Sequence, residues 1–270
     1  MYKRLSILVL SIMLLASCGT YNKLLKNGSD DDKLKYGKIY FLEKKYERAS
    51  TLLGDIVSKN VFSGKKMEQA VYLLAQSFLM QEDYYSATLF YNEYVKSYPK
   101  GDYAEDCKFK VGYCHYLQSP EARLDQSDTK QAIRYLEEYI AMYPAGDKVD
   151  EAYGYIDDLR NKLAYKSLLE ARMYYNLGLY LGNNYRSAIV VAENAMKDFP
   201  ENKYREELSF LILKSKYTEA KNSVAERYVE RFSEVIDEYY KYSSEFQGSK
   251  NIKEAERIFS EAKKYTEKIK

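Results

Sequence analysis

The chain is 270 residues long, with 42 basic and 40 acidic side chains, one His, three Cys, no Trp, 4 Pro and 12 Gly. So few helix breakers, beside abundant Lys, Glu, Leu, Ala and Tyr, predict a mostly helical protein. A single His leaves few routes to acid–base, nucleophilic or metal chemistry, and a near-balanced charge offers no general footprint for nucleic acid.

Residues 1–18 read as an address. Lys3 and Arg4 form a short basic stretch, and Leu5–Ala16 is an apolar run of 12 residues. A bilayer needs roughly 20 residues to cross, so this is a signal peptide rather than an anchor helix. The run closes on Leu15-Ala16-Ser17-Cys18, which resembles the lipobox of bacterial lipoproteins: cleavage after residue 17 and a covalent lipid on Cys18 are expected, and no other cofactor. Removing Lys3 and Arg4 leaves 40 basic against 40 acidic side chains. Several acyl chains would hold the protein stably on a membrane. Gly19 rather than Asp after Cys18 favours the outer membrane, periplasmic face. Residues 18–28 are expected to be a lipidated tether, with Gly19–Gly28 reaching on the order of 30 Å if extended. Ser29 suits a helix N-cap, followed by Asp30–Asp32 in the first turn, where acids oppose the helix dipole.

From residue 29 onward the chain repeats. Tyr98-Pro99, Tyr143-Pro144 and Phe199-Pro200 each close an amphipathic stretch, and Ala87, Ala132 and Ala188 stand twelve residues before the prolines. A small residue, a helix and a terminating proline at constant spacing form the second half of a tetratricopeptide repeat. First halves occur at Tyr36-Gly37 with Tyr40, Leu74-Ala75 with Phe78, and Val111-Gly112 with His115. A degenerate fifth unit carries Tyr239, Tyr242 and Phe246-Gln247-Gly248. The small residue lets the second helix approach the first, aromatics fill the groove, and Pro stops the ladder. The stripes Phe90/Tyr94/Tyr98 and Tyr135/Tyr139/Tyr143 keep the helical phase and are expected to be core. The fold class is therefore all-α, a tetratricopeptide superhelix (an α-α solenoid) of about five irregular repeats.

The spacing is uneven. Ala87 to Ala132 is 45 residues, beyond the ~34 of the repeat, with most of the excess near Ser119-Pro120. Ala132 to Ala188 is 56, and the absence of Pro from Lys148 to Leu181 predicts one helix of about 34 residues, roughly 50 Å long. Gly154 and Gly178 are expected not to break it, and Gly182-Asn183-Asn184 reads as the turn after it. The predicted organisation is 29–146 for repeats 1–3 and 147–270 for repeats 4–5. Cys107, Cys114 and His115 lack the spacing and partners of a haem or zinc site. On one helix the two thiols stand about 10.5 Å apart, too far for a disulfide, and are expected to be buried and free. No metal site and no enzymatic activity are expected.

The lipobox, the irregular repeats and the order of their insertions resemble the BamD family of outer-membrane assembly lipoproteins. The stretches that carry the likeness are Tyr98–Tyr103, Ser119–Gln126 with Thr129–Ile133, Leu159–Ala164, and Tyr185–Ala188 leading to Phe199-Pro200. The resemblance implies a non-catalytic scaffold. Its C-terminal repeats would bind the periplasmic domains of a BamA-like barrel protein, alongside other assembly-machine subunits. Its N-terminal groove would receive unfolded outer-membrane proteins. By analogy to the repeat, the concave face takes Leu34, Lys38 and Phe41, then Tyr72, Gln76 and Leu79, then Phe109, Tyr113 and Tyr116, with the tyrosines expected to face away from the packing between paired helices. A different tetratricopeptide lipoprotein, organising peptidoglycan synthesis or polysaccharide export, is the alternative.

Overall fold

The computed structural model describes residues 21–267, whose regular structure is helical and includes no strand. Cys18 and the signal segment lie outside the described residues. Helix α1 is described over 21–27. It is followed by α2 (Asp30–Leu42), α3 (Tyr46–Lys59), α4 (Lys65–Leu79), α5 (Tyr84–Ser97), α6 (Ala104–Gln118), α7 (Ser127–Met142), α8 (Val149–Leu177), α9 (Asn184–Asp198), α10 (Arg205–Lys221), α11 (Tyr228–Glu245) and α12 (Ile252–Glu267). A 3-10 turn, Ala225–Arg227, precedes α11. From α2 to α11 the helices pair in sequence, as a tetratricopeptide solenoid requires. The chain divides into two compact units, one of residues 1–119 and 127–153, the other of 120–126 and 154–270.

In the first unit the packing follows the repeat. Ala49, Ala87 and Ala132 are fully buried, and Gly112 meets its partner helix so closely that a Cβ there would lie 2.8 Å from the Leu136 side chain. Substituting a larger residue would force α6 and α7 apart. Leu53, Ile56, Leu74, Tyr91, Tyr94 and Val111 form one continuous core across α3 to α6. Helix starts are set locally: the Ser29 hydroxyl accepts from the Asp32 N–H at 3.1 Å, and Asp83 caps α5 through the Ser86 N–H at 3.1 Å. Lys33, although buried, is neutralised by Asp55 of α3 at 2.6 Å.

In the second unit α10 is buried on more than one side, which is why its apolar residues run consecutively rather than in a stripe. Leu208, Leu211 and Ile212 join Leu168, Ala171, Ile189 and Ala192. Phe210 and Leu213 join Phe232, Val235, Tyr242 and Ile258. Helix α12 turns Ala255, Ile258 and Ala262 inward and carries charged residues on its other face. The insertion 120–126 is ordered by the buried Gln126, whose amide donates to the carbonyls of Glu121 (2.9 Å) and Leu124 (3.1 Å). Lys166 of α8 also donates to Leu124.

Two expectations are corrected. The predicted helix from 148 to 181 is 29 residues, Val149–Leu177. Gly154 does lie within it, but Gly178 turns to φ +58°, a left-handed conformation that ends a helix. Of the residues assigned to the tether, 21–27 are helical. The Tyr21 ring meets Tyr40 edge-on at 5.8 Å, and Arg48 lies 5.1 Å over it.

Candidate functional site

The first unit brings the first helices of successive repeats side by side. Lys38 of α2 donates to Gln69 of α4 at 2.5 Å. One helical turn further, the Tyr72 hydroxyl donates to Asp106 of α6 at 3.0 Å, and the Gln76 amide donates both to that hydroxyl (2.8 Å) and to Asp106 (3.3 Å). Burial and the neighbouring carboxylate push the Tyr72 phenol well above its ordinary value, so it stays a neutral donor at any physiological pH. Its ring stacks on Tyr103, with centroids 4.0 Å apart.

Along α6 the rings of Phe109, Tyr113 and Tyr116 follow one another at 6.0 and 6.3 Å, both pairs stacked. Lys110 stands 5.1 Å over Tyr113. The face is thus aromatic, with amide, ammonium and carboxylate groups interspersed. It can stack on aromatic side chains and hydrogen-bond an extended backbone.

Lys38, Phe41, Tyr72, Gln76, Tyr113 and Tyr116 are all partly exposed on this face. Three others are not. Leu34 is 4% exposed, Leu79 9% and Phe109 1%; Phe109 packs edge-on to Tyr139 of α7 at 5.4 Å. Phe109 is core. The expectation that Tyr72 faces away from helix packing is likewise corrected, because it is stacked on Tyr103 and meets Tyr94 edge-on at 6.3 Å. Asp106 and Tyr103 were not foreseen. The signal for Asp106 was the repeat period itself: it stands 34 residues after Tyr72.

A second constellation recurs in both units. The fully buried Tyr94 donates to Glu68 at 2.6 Å, and Tyr139 to Glu105 at 3.0 Å. Tyr242 does the same to Glu206 at 2.5 Å. Each pair also takes groups that open the next repeat. Glu68 accepts from the Asp102 N–H at 2.7 Å, the Tyr139 hydroxyl from the Lys148 N–H at 3.2 Å, and Glu206 from the Ser249 hydroxyl at 2.6 Å. Gly101 and Gly146 sit where a Cβ would collide with the hydroxyls of Tyr94 and Tyr139. In the fourth repeat Ala195 stands at the tyrosine's place, and the Asn161 carboxamide takes the Lys203 N–H at 2.7 Å instead. These latches hold the repeats in register.

The thiols are buried and free. Burial pushes Cys114 up to about 11 and raises Cys107 further, so neither is a nucleophile at neutral pH. His115 pairs with Asp128 at 3.2 Å and stacks on Tyr135. Among the described residues no helix is long and apolar enough to cross a membrane.

Paired helices, latched in register and presenting an aromatic face, define a repeat scaffold of the tetratricopeptide class, a fold that typically acts by binding other proteins. The family model YfiO, outer membrane lipoprotein, matches residues 35–191. The chain belongs to this family, the BamD family of outer membrane lipoproteins. Among solved structures it is similar to a Podosopora anserina protein of nearly identical TPR-like repeats, described as a kinesin light chain. The identity is 11% and the TM-score 0.33, over 81% of this chain and 96% of that one. At that score the likeness adds nothing to the repeat architecture, which rests on the helix pairs themselves. No curated protein matches the chain.

Proposed function

We propose that this chain is a non-catalytic scaffold lipoprotein of the β-barrel assembly machine, held by lipid on Cys18 at the periplasmic face of the outer membrane. In this reading the aromatic face of α2, α4 and α6 receives extended segments of unfolded outer-membrane proteins. The C-terminal repeats bind the periplasmic domains of a BamA-like barrel subunit. The observation that carries it is the family match over 35–191, which takes in every residue of that aromatic face.

The test is titration of a peptide carrying the C-terminal strand of an outer-membrane protein. Aromatic anchors at an interface cost about 2 kcal/mol or more when truncated, roughly 30-fold in affinity each. Tyr113→Ala and Tyr116→Ala are the informative variants, because Tyr72 also holds α4 to α6. Unchanged affinity in the double variant, with its thermal melt intact, would place the substrate elsewhere. Pull-down from detergent-solubilised membranes tests the partner half. Recovery of a large barrel protein with periplasmic repeats supports the reading, whereas recovery of murein synthases would transfer the chain to peptidoglycan assembly. The anchor is read directly by mass spectrometry of the mature protein, where an unmodified Cys18 would end that part of the proposal.

A further inference from the structure

The turns between paired helices differ in length and in charge: eight residues, 119–126, join α6 to α7 and six, 222–227, join α10 to α11, both with charged side chains. Three residues, Glu43-Lys44-Lys45, join α2 to α3, and four, Met80-Gln81-Glu82-Asp83, join α4 to α5. Six join α8 to α9, Gly178-Leu179-Tyr180-Leu181-Gly182-Asn183, and they carry no charge. The uncharged run extends from Met173 to Tyr185, bounded by Arg172 and Arg186.

Its apolar side chains point to solvent: Leu177 is 41% exposed, Leu179 55%, Tyr180 67% and Leu181 90%. The outward pose is built in. Leu181 holds φ +53° between Gly178 at +58° and Gly182 at +141°, a left-handed conformation unfavourable for a residue that carries a side chain. Local hydrogen bonds brace the turn. Tyr180 N–H donates to Leu177 O (3.0 Å), Gly182 N–H to Leu179 O (3.4 Å) and Asn184 N–H to Gly178 O (2.9 Å), while the Asn184 side chain donates to Tyr180 O (2.7 Å).

We propose that this turn is a membrane-contacting tip that seats Leu179, Tyr180 and Leu181 in the interfacial layer of a phospholipid bilayer. Three features select lipid over a protein partner. The four side chains expose roughly 500 Å² in total, taking about 200 Å² for a side chain of this size, whereas a stable protein interface needs about 800 Å² on each side. A convex tip needs no complementary pocket in lipid. A Tyr among leucines is the composition that settles at headgroup level. The inference rests on membership of an outer membrane lipoprotein family, and not on the barrel-assembly reading. A lipid anchor holds a protein to a membrane; a second contact would fix how the repeat unit is turned toward it.

The absence of Trp from the chain supplies the assay. Leu181→Trp gives the full lipoprotein a single Trp, at the tip, excited selectively above the absorption of its tyrosines. Tyr85→Trp, at a residue 78% exposed on α5, gives the control. Each is reconstituted in vesicles of phosphatidylethanolamine and phosphatidylglycerol, with and without brominated acyl chains. The expected result is a blue-shifted, bromine-quenched emission from Trp at 181 and a water-like, unquenched emission at 85. Adding Leu179→Asp to the Leu181→Trp chain should abolish the shift while leaving the thermal melt unchanged. Emission at 181 as red and as unquenched as at 85 would overturn the proposal. So would a blue shift that appears only when membrane proteins accompany the lipid, which would make the tip a protein-docking element.

Discussion

Two tyrosines of α5 show how much a hydroxyl's surroundings matter. Tyr91 and Tyr94 are both 0% exposed, yet Tyr94 donates to Glu68 and accepts from the Tyr103 N–H at 3.0 Å. The Tyr91 hydroxyl is buried with no hydrogen-bond partner among the described residues. A hydrogen bond to a charged group contributes about 1.5–3 kcal/mol, and losing it leaves the Glu68 carboxylate with one donor fewer. Tyr94→Phe should therefore lower stability by about 2 kcal/mol, and Tyr91→Phe should be neutral or stabilising. Thermal melts of the two variants decide it, and equal losses would refute the latch. From sequence, Tyr94, Tyr139 and Tyr242 were legible as packing residues because their helical phase and distance from the closing residue are regular. Their carboxylate partners were not, since an acid in the first turn of a helix is already explained by the dipole. Only the repeat period links Glu105 to Tyr139, 34 residues later.

At the scale of elements, one ion pair and one glycine carry separate predictions. Hydrogen bonds from Lys33 and Lys59 hold the Asp55 carboxyl below its ordinary value. A carboxyl depressed in the folded state adds stability above its unfolded value, and that stability is lost as pH falls through the folded one. The α2–α3 pair should accordingly weaken only below about pH 4, and Asp55→Asn should flatten that acid limb while lowering stability at neutral pH. A limb unchanged by the substitution would assign acid sensitivity to other carboxylates. At the end of α8, Gly178→Ala must adopt φ +58° with its Cβ 2.9 Å from the Tyr185 hydroxyl, and should cost about 1–2 kcal/mol. A neutral substitution would show that the turn relaxes freely. Prolines and small residues announced the helix pairs because both act by sterics at fixed positions. The end of α8 was misread because a glycine inside a helix and a glycine ending one look alike until its φ is known.

For the whole molecule, repeat arrays are quasi-one-dimensional: each repeat contacts its neighbours, and openings are local rather than global. The latches reinforce this, since each ties one repeat only to the start of the next. Tyr94→Ala removes both a large core side chain and the Glu68 bond, a loss of about 3 kcal/mol or more. Hydrogen exchange should then accelerate in α4, α5 and α6, while α11 and α12, packed in a separate cluster, keep their wild-type protection. The same measurement bears on function. A bound peptide from an outer-membrane protein should slow exchange in α4 and α6, where Tyr72, Gln76, Tyr113 and Tyr116 lie, and leave α11 and α12 unchanged. A solubilised barrel subunit should do the converse. Uniform acceleration by Tyr94→Ala would show that the chain opens as one cooperative body. Protection of α11 and α12 by the peptide would move substrate recognition out of the N-terminal repeats, leaving the aromatic face with the packing role that Phe109 already has.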